Sequence, residues 1–227
     1  MSKPFQKELA SFVGKLLRDH FGKGPESVYV STQGPFLTIY LKNFLSPMES
    51  VLFGQGQDVT IEKTRDMMMK ALLPEMKAYI QHATGIAYNK FYYDWSLHNK
   101  SGIIVGYNRD QLDQLEEITY KGKEAFEKEI DSISHIVQRS PGAIHSYFIN
   151  SRTLIVIREE ILIRLEKELI RQGHDELLVL TKRRLEKEYF HNNNHFETIL
   201  EAQITDIFVD WDFMHDNGLI IFILNPK

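Results

Sequence analysis

The stretch that decides the fold is Phe91–Val105, which reads FYYDWSLHNKSGIIV. A closely similar stretch returns at Phe208–Ile221 as FVDWDFMHDNGLII. The chain has only two tryptophans, and each follows an aspartate at this point, in the pairs Asp94-Trp95 and Asp210-Trp211. Two runs rich in aromatic and aliphatic residues around a polar turn are typical of a β-hairpin. The return of the same hairpin in the second half indicates an internal duplication.

The first half of the chain predicts the order helix, strand, strand, helix, strand, strand. The predicted elements are a helix at 4–21, strands at 28–31 and 36–41, a helix from 58 to about 83, and strands at 86–95 and 102–107. A linker with one helical turn precedes Asp58, which we expect to cap the long helix. Pro74 lies inside that helix, where its missing N–H predicts a kink.

The second half repeats this order, with a helix marked by residues 126–137 and strands at 144–148 and 154–157. The apolar residues of its long helix are Leu178, Leu185, Tyr189, Phe196 and Leu200. Subtracting 117 from each number gives Ile61, Met68, Leu72, Tyr79 and Ala83, which lie on the apolar stripe of the first long helix. We therefore expect these residues, including Met68, to face the cores of two related modules.

These patterns predict an α+β fold made of two tandem α-β-β-α-β-β modules, each with two layers and related by internal duplication. The first module spans 1–107 and the second, more diverged, spans 122–227. The intervening residues 108–121 are rich in acidic and amide side chains, with Leu112, Leu115 and Ile118, and are predicted to form a helical connector. The sequence leaves open how the two modules face each other.

Composition excludes several classes of function. The 227-residue chain has a net charge of -4 and a pI near 6.1, so we expect it to bind nucleic acid poorly overall, because phosphate contacts need a basic face. It has no cysteine, which excludes disulfides and thiolate chemistry and fits a reducing compartment. No apolar run approaches the roughly 20 residues that cross a membrane. We expect a soluble cytoplasmic protein with no cofactor.

The two aspartate-tryptophan pairs are the first candidate site. They could present indole rings and carboxylates near two hairpin ends as a paired recognition site. We favour a structural role, because aspartate often binds turn amides and tryptophan is a large core or interface residue. The segment Gly22-x-Gly24-Pro25 is also interpreted as structural. It follows a helix and lacks the lysine and hydroxyl residue that end a phosphate-binding loop.

Histidines supply the candidates for metal binding or catalysis. Glu188, His191 and His195 have the spacing of residues on one helix face, as a metal site requires. The favoured alternative is a solvated polar patch, because an asparagine run separates the two histidines. His98 and His215 lie in the matching hairpin turns near aspartates, but no nucleophile motif accompanies them. The basic run Lys182-Arg183-Arg184 is interpreted as a solvated helix face, since acidic residues lie close to it.

Three segments of the first half form an ordered set: Gly22–Val28 with its glycine-x-glycine-proline-glutamate run, Leu41–Glu49 at the end of the first hairpin, and Leu73–Gly85 along the long helix. In this order they resemble three signatures of the MpsC-like family, which is named for a component of a sodium-translocating, membrane-potential-generating system. In the second half Ser140-Pro141-Gly142 replaces the double glycine, and Ile163-Arg164 replaces Ser46-Pro47. We therefore expect the second module to resemble the family only through the internal repeat.

The resemblance implies an accessory component that works beside membrane proteins in cation-coupled uptake of inorganic carbon as bicarbonate. It carries over no catalytic residues. The resulting prediction is a non-catalytic regulatory subunit whose partners are membrane transport proteins, located in the cytoplasm or at the inner face of the cell membrane, with a homodimer left open. Two alternatives remain: a small-molecule anion sensor, and a metal-dependent enzyme that uses His191 and His195.

Overall fold

The computed structural model describes residues 3–114 and 119–226, which belong to two compact units. Unit 1 comprises Met1–Leu115 and unit 2 comprises Glu116–Lys227. Each unit holds a four-stranded antiparallel sheet together with helices. The prediction of an α+β fold formed by two repeated halves is confirmed.

The elements of unit 1 follow the predicted order, with one additional short helix. They are α1 Lys3–Phe21, β1 Ser27–Gln33, β2 Phe36–Lys42, α2 Pro47–Gly54, α3 Asp58–Thr84, β3 Lys90–Ser96 and β4 Ser101–Tyr107. The strand order is β1-β2-β4-β3, so the two hairpins join through their second strands. Apolar side chains of α1 and α3, among them Leu9, Val13 and Met76, form one core with Ile39 and Ile104 of the central strands.

Unit 2 has the same topology. Its elements are α4 Lys123–Val137, β5 Ala143–Asn150, β6 Thr153–Glu159, α5 Arg164–Arg171, α6 Asp175–His191, α7 His195–Leu200, β7 Ala202–Asp212 and β8 Asn217–Pro226. The strand order β5-β6-β8-β7 repeats that of unit 1. Its core lies between the helices and the sheet and includes Phe126, Ile130, Phe190 and Phe222.

Several local predictions were wrong. The second long helix is interrupted, because α6 ends at His191 and α7 begins at His195. Asp58 does not cap α3; Gln57 occupies that position without a side-chain hydrogen bond. The linker contains a complete helix, α2, in place of one helical turn. Strand β3 begins only at Lys90.

The predicted core stripe of each long helix is confirmed at Ile61, Leu72, Leu178 and Phe196, which are buried, and is wrong at other positions. In α3 the buried residues are Ile61, Arg65, Met69, Leu72, Met76 and Ile80, so Met69 takes the place expected for Met68. In α6 they are Leu178, Lys182, Arg183, Glu186 and Phe190, while Leu185 and Tyr189 are exposed. The inward positions include charged residues, which an apolar pattern passes over. At these positions the predicted apolar stripe therefore fell on neighbouring residues, such as Met68 beside Met69 and Leu185 beside Glu186.

The predicted connector lies partly within the described residues. A 3-10 helix spans Arg109–Gln114, whereas Leu115 and Ile118 of the predicted connector lie outside the described residues. Within residues 3–114 and 119–226, no helix combines the length and the apolar character needed to cross a membrane.

Candidate functional site

A buried cluster of a glutamate, a cation and a tryptophan occupies the same place in both units. We call it the anchoring cluster. In unit 1 it consists of Glu49, Arg65 and Trp95, and in unit 2 of Glu166, Lys182 and Trp211. Each glutamate and each cation of unit 2 lies 117 positions after its equivalent in unit 1, and the tryptophan of unit 2 lies 116 positions after its equivalent. The glutamate lies in the short helix, the cation in the long helix and the tryptophan in the last hairpin.

In unit 1 the cluster is a bidentate ion pair enclosed by aromatic rings. Arg65 Nε donates to Glu49 Oε1 at 2.7 Å, and Nη2 donates to Glu49 Oε2 at 3.0 Å. The same Nη2 also donates to the carbonyl oxygen of Phe44 at 2.9 Å. The guanidinium carbon lies 4.6 Å from the Trp95 ring centroid and 4.7 Å from that of Phe44. Arg65 is fully buried, and these contacts at Nε, Nη2 and the ring faces replace part of its lost hydration.

The glutamate also organises the start of the short helix. Glu49 Oε2 accepts a hydrogen bond from the Ser46 backbone N–H at 2.8 Å, and Ser46 Oγ accepts one from the Glu49 backbone N–H at 3.3 Å. This reciprocal capping box satisfies two backbone donors at the first turn of α2. Burial by itself raises the pKa of Glu49, but hydrogen bonds and charge from Arg65, with the bonds from Ser46, outweigh it and hold that pKa below its ordinary value.

Trp95 is positioned by its neighbours on the hairpin. Its backbone N–H donates to Asp94 Oδ1 at 2.7 Å, and both residues are buried. Gly102 pairs with Trp95 across the β3–β4 ladder. A Cβ atom at Gly102 would lie 2.4 Å from Trp95 Cε3, so only glycine lets the indole ring cross the neighbouring strand.

Unit 2 builds the cluster from different donors. Lys182 Nζ donates to Glu166 Oε1 at 2.7 Å and to the side-chain oxygen of Gln138, and it lies 5.3 Å from the Trp211 ring centroid. Glu166 Oε2 accepts the Ile163 backbone N–H at 3.0 Å. The isoleucine has no hydroxyl group, so this is only half of a capping box. Glutamate nevertheless fastens the short helix to the long helix in both units.

A second buried ion pair is present in unit 2. Arg158 Nη2 donates to Glu186 Oε2 at 2.5 Å, and Nη1 donates to Ser134 Oγ at 3.1 Å. Glu186 Oε1 also lies 3.6 Å from Lys182 Nζ, so the two pairs form one network. Subtracting 117 gives Leu17, Leu41 and Met69 in place of Ser134, Arg158 and Glu186. Unit 1 is therefore apolar where unit 2 is charged.

The second aspartate-tryptophan pair is arranged like the first. The Trp211 backbone N–H donates to Asp210 Oδ1 at 3.0 Å, and the indole is buried. Asp210 Oδ1 lies 3.9 Å from Arg183 Nη2. Gly218 faces Trp211 across the β7–β8 ladder, as Gly102 faces Trp95. In both units the indole ring thus packs inside the fold.

The segment Gly22-x-Gly24-Pro25 forms the turn between α1 and β1. Gly22 has a φ of 72°, a left-handed conformation that glycine adopts at helix ends. A Cβ atom at Gly24 would lie 2.9 Å from the carbonyl oxygen of Gly14. Pro25 is buried directly before the strand. The segment brings β1 close against the last turns of α1.

The predicted metal-site residues do not share one helix. His191 ends α6, and His195 starts α7 after the break at Asn192–Asn194. His195 Nδ1 lies 3.1 Å from Glu129 Oε1 on α4, while Glu188 is exposed on α6. The expected arrangement on one helix face was therefore wrong. In the described parts of the chain, no group of three or more histidine, aspartate or glutamate residues is placed to hold a metal ion.

Sequence patterns missed the charged members of the anchoring cluster. Lys182 and Arg183 were assigned to a solvated helix face, but both are buried and only Arg184 of that run is exposed. A usable signal was present, because the offset of 117 aligns Glu49 with Glu166 and Arg65 with Lys182. Opposite charges kept at matching positions of a repeat indicate a retained ion pair.

The sequence model of the family described as Na+-translocating membrane potential-generating system (MpsC) matches residues 2–109 and again residues 122–226. The chain belongs to the MpsC family. The expectation that the second half resembles the family only through the internal repeat was wrong, because that half matches directly. Neither a curated protein nor a solved structure matches this MpsC-family chain.

The family name connects the chain with a sodium-translocating system that generates membrane potential. The matched ranges together contain the complete anchoring cluster of each half, including both tryptophan hairpins. The cluster is therefore a feature of two family-type modules in one chain. Its geometry holds the short helix, the long helix and the last hairpin together.

Proposed function

We propose that this chain is a non-catalytic accessory subunit of a Na+-translocating membrane-potential-generating system, which binds the membrane-embedded components at the inner face of the membrane and supports cation-coupled bicarbonate uptake. The observation that carries the proposal is the match of both halves to the MpsC family. The name of that family describes a membrane-potential system, and a duplicated module suits a subunit that contacts its partners twice.

The distribution of polar contacts supports a binding role. The buried charged residues of the anchoring cluster bind one another and backbone groups, at distances of 2.7 to 3.0 Å in unit 1. Such pairs position elements inside a unit and leave the charged groups without access to a substrate. The two tryptophan rings are likewise buried inside their units.

Exposed apolar residues recur on the same elements in both units. Among the residues that the structure describes, eight of the eleven exposed large hydrophobic side chains lie on α2 and α3 or on their counterparts α5 and α6. Met48 on α2 and Leu165 on α5 occupy matching positions, and each is 66% exposed. Clustered exposed apolar residues mark interaction sites. We assign the surface of the short helices, with Met48, Val51 and Leu165, to the membrane-embedded partner.

Co-purification tests this assignment. The tagged chain, produced at its native level, should recover membrane proteins of the same system after mild detergent extraction. The variant Met48→Asp/Leu165→Asp should lose most of that recovery, because each aspartate places a charge in an apolar contact. Ile136→Asp provides the matched control, since Ile136 is 64% exposed on α4 and belongs to neither short helix.

Circular dichroism should show the same fold for all three proteins, because the substituted side chains are exposed. The proposal is contradicted when the wild-type chain recovers no membrane protein under these conditions. It is equally contradicted when the double variant and the control recover the partners as well as the wild type does.

A further inference from the structure

Helix α6 buries charged side chains on its inward side and exposes an apolar row on its outward side, whereas an ordinary surface helix buries its apolar residues. Its inward row, spaced by four residues, consists of Leu178, Lys182, Glu186 and Phe190, all buried. The adjacent outward row consists of Leu177, Thr181, Leu185 and Tyr189, all exposed. Leu177 is 62%, Leu185 39% and Tyr189 40% exposed. We call this outward row the α6 ridge.

The matching row of unit 1 differs in residue composition and in burial. Subtracting 117 gives Thr60, Thr64, Met68 and Leu72 on α3. The two threonines make the start of that row polar, and Leu72 at its end is buried in the core with residues of α1. In unit 2 the matching row carries Leu177, Leu185 and Tyr189, and these side chains are exposed. The α6 ridge is therefore more apolar than its counterpart although it is more exposed.

The charges beside the ridge indicate what covers it. Arg184 and Glu188 are exposed, lie one residue before Leu185 and Tyr189, and carry opposite charges. When two copies of α6 pack antiparallel about a two-fold axis near Leu185, Arg184 of each copy lies opposite Glu188 of the other. A two-fold interface uses the same patch twice, so a patch with both signs of charge complements itself.

We propose that the α6 ridge binds the same ridge of a second copy of this chain in an antiparallel helix pair, with two reciprocal ion pairs between Arg184 and Glu188. The four-residue spacing of the ridge gives the common crossing of about -50° between helices. One helix pair is a small contact, at the low end of the roughly 1,200–2,000 Å² that stable interfaces bury. The dimer is therefore weak and depends on protein concentration.

The first experiment measures mass against concentration for the purified full chain by sedimentation equilibrium. The wild type should pass from monomer to dimer as concentration rises, and Leu185→Asp/Tyr189→Asp should remain monomeric with an unchanged circular dichroism spectrum. Ile136→Asp is the control, because Ile136 is an exposed apolar residue of α4 in the same unit. The control should dimerise like the wild type.

The second experiment exchanges charges. Arg184→Glu makes both positions acidic and Glu188→Arg makes both basic, so each variant alone should dimerise at least tenfold more weakly than the wild type at low salt. An equal mixture of the two should recover dimer, because each acidic ridge then meets a basic one. This recovery distinguishes a symmetric ridge contact from binding of a different protein or of lipid.

The proposal stands only when both experiments give these results. It is overturned by a wild type that stays monomeric, by a dimer that the ridge variant leaves intact, by a control that also loses the dimer, or by a mixture that fails to recover it. The measurements use the purified chain alone, so their outcome is separate from that of the co-purification test.

Discussion

Arg65 and Lys182 occupy matching positions, and each suits its own surroundings. In unit 1 the guanidinium carbon lies 4.7 Å from the Phe44 ring centroid and 4.6 Å from that of Trp95. In unit 2 the residue matching Phe44 is Ile161, and Gln138 takes the place of Phe21 and offers an oxygen to the lysine. A planar guanidinium stacks on rings, whereas an ammonium group is a compact charge that needs oxygen acceptors. The two cations are therefore not interchangeable.

At the residue scale, Gly102→Ala should destabilise unit 1. The added Cβ atom would meet the Trp95 ring at 2.4 Å, and relieving this overlap should cost about 1–3 kcal/mol of unfolding free energy. Urea unfolding followed by tryptophan fluorescence measures the change. Gly54→Ala is the control, because a Cβ there meets nothing within 4 Å. Equal stability of the two variants would contradict the packing argument.

At the scale of elements, one carboxylate links each short helix to the long helix. Glu49 joins the first turn of α2 to α3, and Glu166 does the same for α5 and α6. Unit 2 adds the Ser134–Arg158–Glu186 network between α4, β6 and α6. Replacing one member of a buried ion pair leaves an uncompensated charge, whereas replacing the whole set by apolar groups removes the desolvation cost.

Transfer of the unit 1 residues into unit 2 tests this balance. Glu186→Met alone should destabilise unit 2 by about 3–5 kcal/mol, because Arg158 then stays buried without its carboxylate. The triple variant Ser134→Leu/Arg158→Leu/Glu186→Met should recover that loss and come out neutral or up to about 4 kcal/mol more stable than the wild type. Denaturant unfolding measures both. A triple variant less stable than Glu186→Met would show that the network stabilises the unit.

At the scale of the whole molecule, one topology is built twice with different interiors. Among the described residues, unit 1 buries the Glu49–Arg65 pair within an aromatic surrounding, and unit 2 buries the linked Glu166–Lys182 and Arg158–Glu186 pairs. The same arrangement of strands and helices therefore tolerates apolar and charged side chains at matching core positions. Stability against pH should then reflect the carboxylates that each unit buries.

Unfolding of unit 1 should become easier in acid. The pKa of Glu49 lies below its ordinary value of 4.5, so its stabilising effect is complete above that pH and is lost as the pH falls through the lower pKa of the folded state. When the melting temperature is measured from neutral to acidic pH, it should decrease once the pH is lower than 4.5. Glu49→Gln/Arg65→Met removes the pair and should reduce this fall. An identical acid dependence in both proteins would contradict the assignment.

The sequence alone predicted the duplication, the order of strands and helices and the paired tryptophan hairpins, because hydrophobic spacing and turn residues are local signals. It failed where charged residues face the core. Patterns that search for apolar residues pass over Arg65, Lys182 and Glu186, so the predicted stripe of each long helix is right at Ile61 and Leu178 but wrong at Met68 and Leu185. The helix break after His191 was missed for a similar reason, since the apolar pattern continues through Phe196.

What the sequence determined by itself is the repeated α+β module and its family, since both are written in residue order and spacing. Tertiary structure alone decided which charges are buried, which glutamate holds each short helix, and which apolar residues stay outside. These outcomes depend on contacts between residues far apart in the chain, such as Glu49 with Arg65 and Arg158 with Glu186. A charged side chain is stable in a core only where a partner from another element compensates its charge, and the two side chains come together only when the chain folds.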